Sequence, residues 1–403
     1  MQERKVAEIL ARPAISIIEL VDALIEHAHT RSASDIHIDP SRADMRVRFR
    51  IDGVLQEVRQ LPKRIHSEII ARIKVMAGMR TDEHQATQDG RFRHECVNGD
   101  TLDIRVSIAP TYHGENAVLR LLSNHAAAFT LEMLGFSDAD RRKIHAAIKR
   151  PHGMILSTGP TDSGKTTTLY TLIRMLNSPD VSIVTVEDPI EYAIDQVEQI
   201  QVAPRTGLTF ANGLRSILRQ DPNIIMVGEI RDAETAAIAV NTALTGHLLL
   251  STLHTSDAAT TLPRLLDMGV DAYLVASTVN IAIGQRLVRR ICPSCKTEMA
   301  ITDAAEKTLA AIPLTEPIER GAVFYRGKGC SACGGSGYAG RLCISEVLAA
   351  DQGIREAIMR QASSAEIRTL AIHGGMTTML EDGVRKARRG HTTIEEVLRV
   401  VYE

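Results

Sequence analysis

From His152 to Leu176 the chain reads HGMILSTGPTDSGKTTTLYTLIRML, and within it Gly159, Gly164, Lys165 and Thr166 stand at the spacing of a phosphate-binding loop. Glycines let successive backbone N–H groups turn inward around phosphate oxygens, and the following helix adds the positive end of its dipole. Lys165 is expected to reach the β- and γ-phosphates and the Thr166 hydroxyl to ligate Mg²⁺. Gly159, Pro160, Thr161, Asp162, Ser163, Gly164, Lys165, Thr166 and Thr167 thus form the expected cradle for a nucleoside triphosphate. Asp162 puts a carboxylate in that cradle, where it repels nucleotide unless it points outward; it is expected to face solvent or a basic neighbour.

Three apolar runs downstream end in polar residues. SIVTVEDPIEY ends in Glu187, Asp188 and Glu191, NIIMVGEIRD in Glu229, Arg231 and Asp232, and LLLSTLHTSDA near His254. Strands alternating with helical patterns imply a parallel sheet, and such folds bind ligands at the strand C-terminal ends. Phosphoryl transfer asks mainly for positioning: Mg²⁺, a group that orients water, and cations for the developing charge. Glu229, after an apolar run and a glycine, is expected to hold Mg²⁺ together with Thr166. Glu187 is the candidate for orienting or deprotonating the attacking water. His247 and His254 are candidates for sensing the γ-phosphate, a purely structural histidine being the alternative at each.

The stretches ICPSCK and GCSACGG supply Cys292, Cys295, Cys330 and Cys333. Two CxxC pairs read as a four-thiolate zinc site, with a redox pair or buried thiols as alternatives. Four sulfurs fill the tetrahedron, so the zinc is structural. Binding of this kind contributes on the order of 10–16 kcal/mol, enough to fold a small insert without its own core. Cys96 and Cys343 read as ordinary buried thiols, and the cysteine pattern as a whole suits a reducing compartment.

The elements that must hold these residues follow from periodicity. In 403 residues, two or three domains are expected. Leu20, Val21, Leu24, Ile25 and Ala28 mark an amphipathic helix from Ile17. Strand patterns begin at Asp35, Met45 and Val54, the last two joined by the hairpin signal Asp52-Gly53. A helix is expected from Pro62 to Met79, then strands in RFRHECV and TLDIRVSI. Residues 1–125 form an antiparallel α+β unit. Next come a linker and helix (126–150), the P-loop domain (151–290), the tetracysteine insert (291–343) and a helical tail (344–403) with Ser364 as an N-cap, Gly374 as a stop and a last helix from Thr393. Arginines at strand positions in the first unit, Arg46, Arg48, Arg50, Arg91, Arg93, Arg105 and Arg120, suggest a surface that meets anions. A net charge of −2, 3% aromatic residues and no Trp disfavour nucleic acid as a partner. No signal peptide and no span of about 20 apolar residues is present, so a cytoplasmic location is expected.

Taken together, ASDIHIDP, FRIDGVLQEV, GPTDSGKTTTLYTLI, VEDPIEY, LRSILRQDPNIIMVGEIRDAETA, TGHLLLSTLHTSDA and the two CxxC pairs resemble the secretion ATPases that assemble type II secretion pseudopili and type IV pili. The resemblance implies a RecA-like P-loop ATPase domain preceded by an antiparallel α+β domain, with a zinc-binding insert and C-terminal helices. By it, Gly159 to Thr166 correspond to the Walker A motif, Glu187 to Glu191 to the aspartate box, Gly228-Glu229 to an atypical Walker B, and His247 to His254 to the histidine box. Arg215 and Arg219 correspond to arginines of the nucleotide-binding domain, and Arg50, Arg91 and Arg105 to N-terminal-domain arginines that act on nucleotide.

The same resemblance implies a ring-shaped homohexamer using ATP and Mg²⁺, at the inner face of the cytoplasmic membrane, whose motion reaches pilin-like subunits through inner-membrane platform proteins. Membrane association is expected only through those partners. An arginine arriving from a neighbouring subunit raises such hydrolysis by about 10³–10⁵. Asp162 stands where this family usually has glycine. The chain begins just before the first family motif, so the extra docking domain of assembly ATPases is expected to be missing. Retraction motors share the core but lack the tetracysteine insert. A nucleotide-gated scaffold with little hydrolysis and a nucleic-acid translocase stand as competing functions.

Overall fold

Alternation of apolar and polar residues along most of its strands builds the first sheet. A computed structural model of the chain describes residues 2–123, 129–300 and 322–402, in two compact units, 1–127 and 128–403. The first unit opens with α1 (Gln2–Leu10) and α2 (Ile17–Thr30), the latter capped by the Ser16 side chain, which accepts from the Glu19 N–H. Its strands are β1 (Ala33–Pro40), β2 (Asp44–Ile51), β3 (Val54–Pro62), β4 (Gln88–Glu95), β5 (Thr101–Thr111) and β6 (Gly114–Ser123), in the antiparallel order β3-β2-β1-β6-β5-β4. Asp52 and Gly53 both have positive φ, 50° and 84°, which suits the tight β2–β3 turn. Ile36, Phe49, Ile104 and Leu119 face the core with Leu20 and Leu24 of α2 and with Ile69 and Ile73 of α3 (His66–Met76). The helix expected from Pro62 starts at His66, because β3 runs on to Pro62 and a 3₁₀ turn follows.

In the second unit α4 (Leu131–Leu134) and α5 (Asp138–Ile148) precede β7 (Gly153–Thr158) and α6 (Lys165–Leu176). β8 (Ile183–Glu187), β9 (Glu198–Gln201), α7 (Phe210–Ile217), β10 (Ile224–Val227), α8 (Ala233–Leu244) and β11 (Leu248–Leu253) follow, then α9 (Ala258–Asp267), α10 (Ala272–Thr278) and β12 (Val279–Ile291). A small hairpin, β13 (Lys296–Ala300) with β14 (Val323–Gly327), leads to β15 (Tyr338–Ala349). The sheet order is β15-β12-β7-β11-β10-β8-β9, parallel throughout except that β15 pairs antiparallel with β12. Strands β7, β8, β10 and β11 are buried at every residue, as parallel strands covered on both faces must be. Met154 and Leu156 enter one core with α8 and α9, while Ile155 enters the other with α6 and α5.

Two expectations about the tail change. The tail expected to be helical from 344 starts inside β15, and it becomes helical only at 352–359, 364–373, 379–388 and 394–402. The N-cap is Ser363, extended at φ −64°, ψ 155°, with its hydroxyl accepting from the Glu366 N–H, while Ser364 is already helical. Residues 124–128 and 301–321 lie outside the described residues, and with them the expected boundary at 125 and the middle of the expected 291–343 insert.

Candidate functional site

The phosphate-binding loop sits between the last residue of β7 and the first of α6. Gly159 (φ 144°) and Gly164 (φ 88°) take backbone conformations that L side chains avoid, and a Cβ on Gly159 would lie 2.4 Å from the Gln285 carbonyl oxygen. Lys165 is buried and donates to the carbonyls of Gly159 (2.8 Å) and Pro160 (2.7 Å), leaving one of its three ammonium hydrogens for a ligand. Burial lowers its pKa, opposed by the negative charges of Glu229 and Asp162. The Ser163 hydroxyl is buried without a hydrogen-bond partner, a free polar atom in a loop shaped for an anion. Thr166 and Thr167 follow in the first turn of α6, half-buried.

Asp162 is exposed at φ 61°, in the left-handed region where aspartate is among the few tolerated non-glycine residues. That conformation accounts for aspartate substituting where a glycine is usual. Its carboxylate supports the charged form of Lys165, so the expectation of a basic neighbour fits.

Parallel strands carry three expected residues to the same edge. Thr158 donates to the Leu253 carbonyl (3.1 Å) and pairs with Thr255, which pins the segment after β11 beside the loop. His254, at that point, lies 3.0 Å from Glu229 Oε2, and Arg231 holds Oε1 at 2.6 Å. Glu229 is otherwise buried. A carboxylate there, with the Thr166 hydroxyl at the start of α6, is an oxygen donor set of the kind Mg²⁺ takes.

His247 is not brought there. It precedes β11, its carbonyl accepting from the Gly153 N–H at the opposite end of the sheet and its ring facing the Thr242 carbonyl. Six strand residues separate it from His254, about 20 Å of extended chain, so His247 has no part at the loop. Glu187 ends β8 and is fully engaged: its carboxylate accepts from the Tyr170 hydroxyl, from Thr185 (2.6 Å) and from Gln199 (3.0 Å). Burial and the Glu187 charge raise the Tyr170 pKa, so its hydroxyl remains a donor. In this arrangement Glu187 braces α6, the helix that carries the loop, through Tyr170.

A cavity of about 500 Å³ opens over the loop, lined by Gly159 to Ser163 on one side and by His254, Thr255, Arg286, Leu287 and Val400 on the other. Sequence reasoning missed two residues here. Gln285 is buried under the loop, donating to the Ser163 carbonyl (2.8 Å) and accepting from the Ser157 hydroxyl (3.2 Å). Arg286, next to it on β12, is a cation in the cavity wall. The signal available was a polar pair, Gln-Arg, closing an apolar strand run.

Arg215 and Arg219 do not line this cavity. Arg215 pairs with Glu234 (2.7 Å) on the surface of α7, and Arg219 donates to the Arg215 carbonyl. In the first unit, cross-strand pairing sets Arg91 opposite Arg105, Arg105 opposite Arg120, Arg120 opposite Asp35 and Asp35 opposite Arg50. Directly opposed residues share a sheet face, so four arginines form one row with a single carboxylate among them. Asp35, buried, holds Arg120 (3.1 Å) and Arg50 (3.4 Å).

The four expected cysteines converge. Cys292 and Cys330 sulfurs lie 3.9 Å apart, Cys295 and Cys333 3.9 Å, and Cys330 and Cys333 3.7 Å, with no disulfide among them. Zn–S bonds of about 2.3 Å in a tetrahedron put sulfurs about 3.8 Å apart, so the cluster fits zinc. Burial opposes ionisation at Cys333, yet N–H groups of Cys330 (3.2 Å) and Gly337 (3.3 Å) bring its thiol down to about 6. Cys343 is a buried thiol pushed up to about 12 by desolvation.

The profile of the family described as Type II/IV secretion system protein matches residues 11–399. The chain belongs to that family. It is 48% identical over 384 residues to the type II secretion system protein E of Xanthomonas campestris pv. campestris, covering 95% of this chain and 67% of that one. It is 44% identical to the type IV pilus assembly ATPase PilB of Myxococcus xanthus, over 95% and 67% of the respective chains. Among solved structures, the pilus retraction motor PilT with bound ADP is similar with TM-score 0.64 and 26% identity, over 94% of this chain and 96% of that one. The Legionella pneumophila ATPase DotB shares the fold, with TM-score 0.71 and 22% identity over 97% of each chain. The family and the loop together make the enzyme class a P-loop ATP hydrolase. No described helix is long and apolar enough to cross a membrane.

Proposed function

We propose that this protein is a ring-forming motor that hydrolyses ATP to drive assembly of a pseudopilus or pilus at the inner face of the cytoplasmic membrane. The observation that carries the reading is the pairing of Glu229 with His254 at the strand edge where Lys165 and the phosphate loop lie. Backbone N–H groups of the loop and the remaining Lys165 hydrogen bind the β- and γ-phosphates. Thr166 and Glu229 would hold Mg²⁺, which would supply charge neutralisation at the transferring phosphoryl group. His254 fixes the Glu229 carboxylate and lines the cavity that would take the phosphates, while Gln285 and the Tyr170–Glu187 pair keep loop and helix in place. Arg286 offers a cation from the same chain.

The row Arg50, Arg105 and Arg91 is the part that a neighbouring subunit contributes, which ties turnover to ring assembly. The partners are further copies of the chain and an inner-membrane platform. The four-cysteine cluster favours assembly over retraction, whose motors lack the insert by the family resemblance. Steady-state ATP hydrolysis measured against protein concentration tests the proposal, beside Asp162→Gly and Glu229→Gln. Turnover that climbs steeply with concentration and vanishes in Glu229→Gln, with ATP binding retained, is expected. Confirmed hexamers without turnover in either the parent or Asp162→Gly would leave a nucleotide-gated scaffold instead.

A further inference from the structure

Among the described residues a second group of metal-ligating side chains converges, far in sequence from the four cysteines. Glu26 on α2, His94 on β4 and Cys96 just beyond it bring one ligand atom each to within 4.8 Å of one another. His94 and Cys96 are two residues apart on extended chain, so both point to the face that α2 covers. Glu26 and Cys96 are buried, and the His94 side chain is 12% exposed.

Hydrogen bonding alone leaves this group incomplete. His94 Nε2 is buried without a hydrogen-bond partner, 3.6 Å from Glu26 Oε1. Glu26 Oε1 accepts from the Val97 N–H (2.8 Å), and the Cys96 thiol hydrogen-bonds to the Glu26 carboxylate, so a metal ion would take the place of that thiol proton. Next to the group, the His29 ring is paired with Asp100 at 2.9 Å, so neither is drawn in to satisfy His94.

We propose that Glu26, His94 and Cys96 bind a zinc ion that fastens α2 to the end of the β4–β5 hairpin. Carboxylate, imidazole and thiolate are the three protein ligand types zinc takes, at about 2.0–2.3 Å. A tetrahedral ion with those bonds needs ligand atoms about 3.3–3.6 Å apart, and Glu26 and His94 already stand at the upper end of that range. Charge also balances: a carboxylate and a thiolate neutralise the dication, which removes the cost of burying either anion alone. Three protein ligands leave the fourth position to water, and the turn above, with Val97 79% exposed, gives a short path to solvent. The ion is therefore more exchangeable than one held by four thiolates.

The test uses the full chain, stripped by a chelator, reloaded with Zn²⁺ and freed of excess metal. The parent is expected to carry one zinc more per chain than Cys96→Ser or His94→Ala, the four-cysteine centre being intact in all three. Because a buried substitution can loosen the hairpin, the parent is also treated with a thiol-alkylating reagent and the Cys96 peptide followed by mass spectrometry. Zinc at about ten times its Kd should slow alkylation of Cys96 roughly tenfold. Equal metal content in parent and variants, or a Cys96 labelling rate indifferent to zinc, overturns the proposal.

Discussion

Glu229 Oε2 and the His254 ring stand 3.0 Å apart across the C-terminal ends of neighbouring parallel strands, β10 and β11. A hydrogen bond to a charged group is worth about 1.5–3 kcal/mol, so His254→Ala should lower ATP turnover by about 10- to 100-fold. His247→Ala should leave it within about twofold, because that ring sits at the opposite end of β11. Steady-state hydrolysis of both variants decides, and equal losses would contradict the separation.

Gln285→Leu keeps the volume under the loop and removes both hydrogen bonds, stranding the Ser163 carbonyl and the Ser157 hydroxyl in the interior. Each stranded polar group costs about 1–3 kcal/mol, so a raised KM for ATP and a lower melting temperature are expected. Gln285→Glu, which accepts from Ser157 but cannot donate to Ser163 when ionised, should show the KM effect as well. Parent-like kinetics in both would remove Gln285 from the support of the loop.

Loss of one cysteine of the four should release the zinc that the cluster fits. Cys295→Ser is expected to lower zinc content by one per chain and to expose residues 292–300 and 322–337 to protease, with the sheet core keeping its protection. Unchanged metal content would return the cluster to four separate thiols.

Glu396 gives a pH signature. Burial raises its pKa, but Arg289 and Arg399 outweigh this and bring it to about 2, below the ordinary value of 4.5. A depressed folded pKa adds stability that is fully present above pH 4.5 and disappears as pH falls toward 2. Acid unfolding of Glu396→Gln should therefore start from a lower plateau and lack the steepening through that window. Superposable acid curves would show the two ion pairs to be unimportant for folding.

The loop was legible because its requirements are local: glycines at fixed intervals, a lysine and a threonine at a helix start. Strand ends were legible too, since Glu229 and His254 each close a fully buried run. The distance of His247 from the loop could be read by counting, as a strand of six residues separates two ends, not two neighbours, which favours the structural alternative there. Gln285 was beyond reach for a different reason: its partners are 122 and 128 residues away, and only the placement of β12 beside β7 makes them neighbours. Glu187 lies between. Its position at a strand end was readable, but Tyr170, which occupies its carboxylate, arrives from a helix whose packing the sequence does not specify. The start of the tail at 344 was not legible because residues 344–349 belong to β15, whose pairing to β12 overrides local pattern.

Strand β12 joins regions that differ in chemistry. Gln285 is under the phosphate loop, the Arg289 guanidinium grips Glu396 at 2.7 Å, the Ile291 N–H is bonded to the His391 carbonyl, and Cys292 begins the sulfur cluster. Seven residues of extended backbone, about 23 Å, connect the first of these to the last. Laddered to β15 along most of its length, such a strand neither stretches nor buckles easily. It is a tie-rod: one laddered strand holds the floor of the phosphate loop and the first sulfur of the cluster at a set separation.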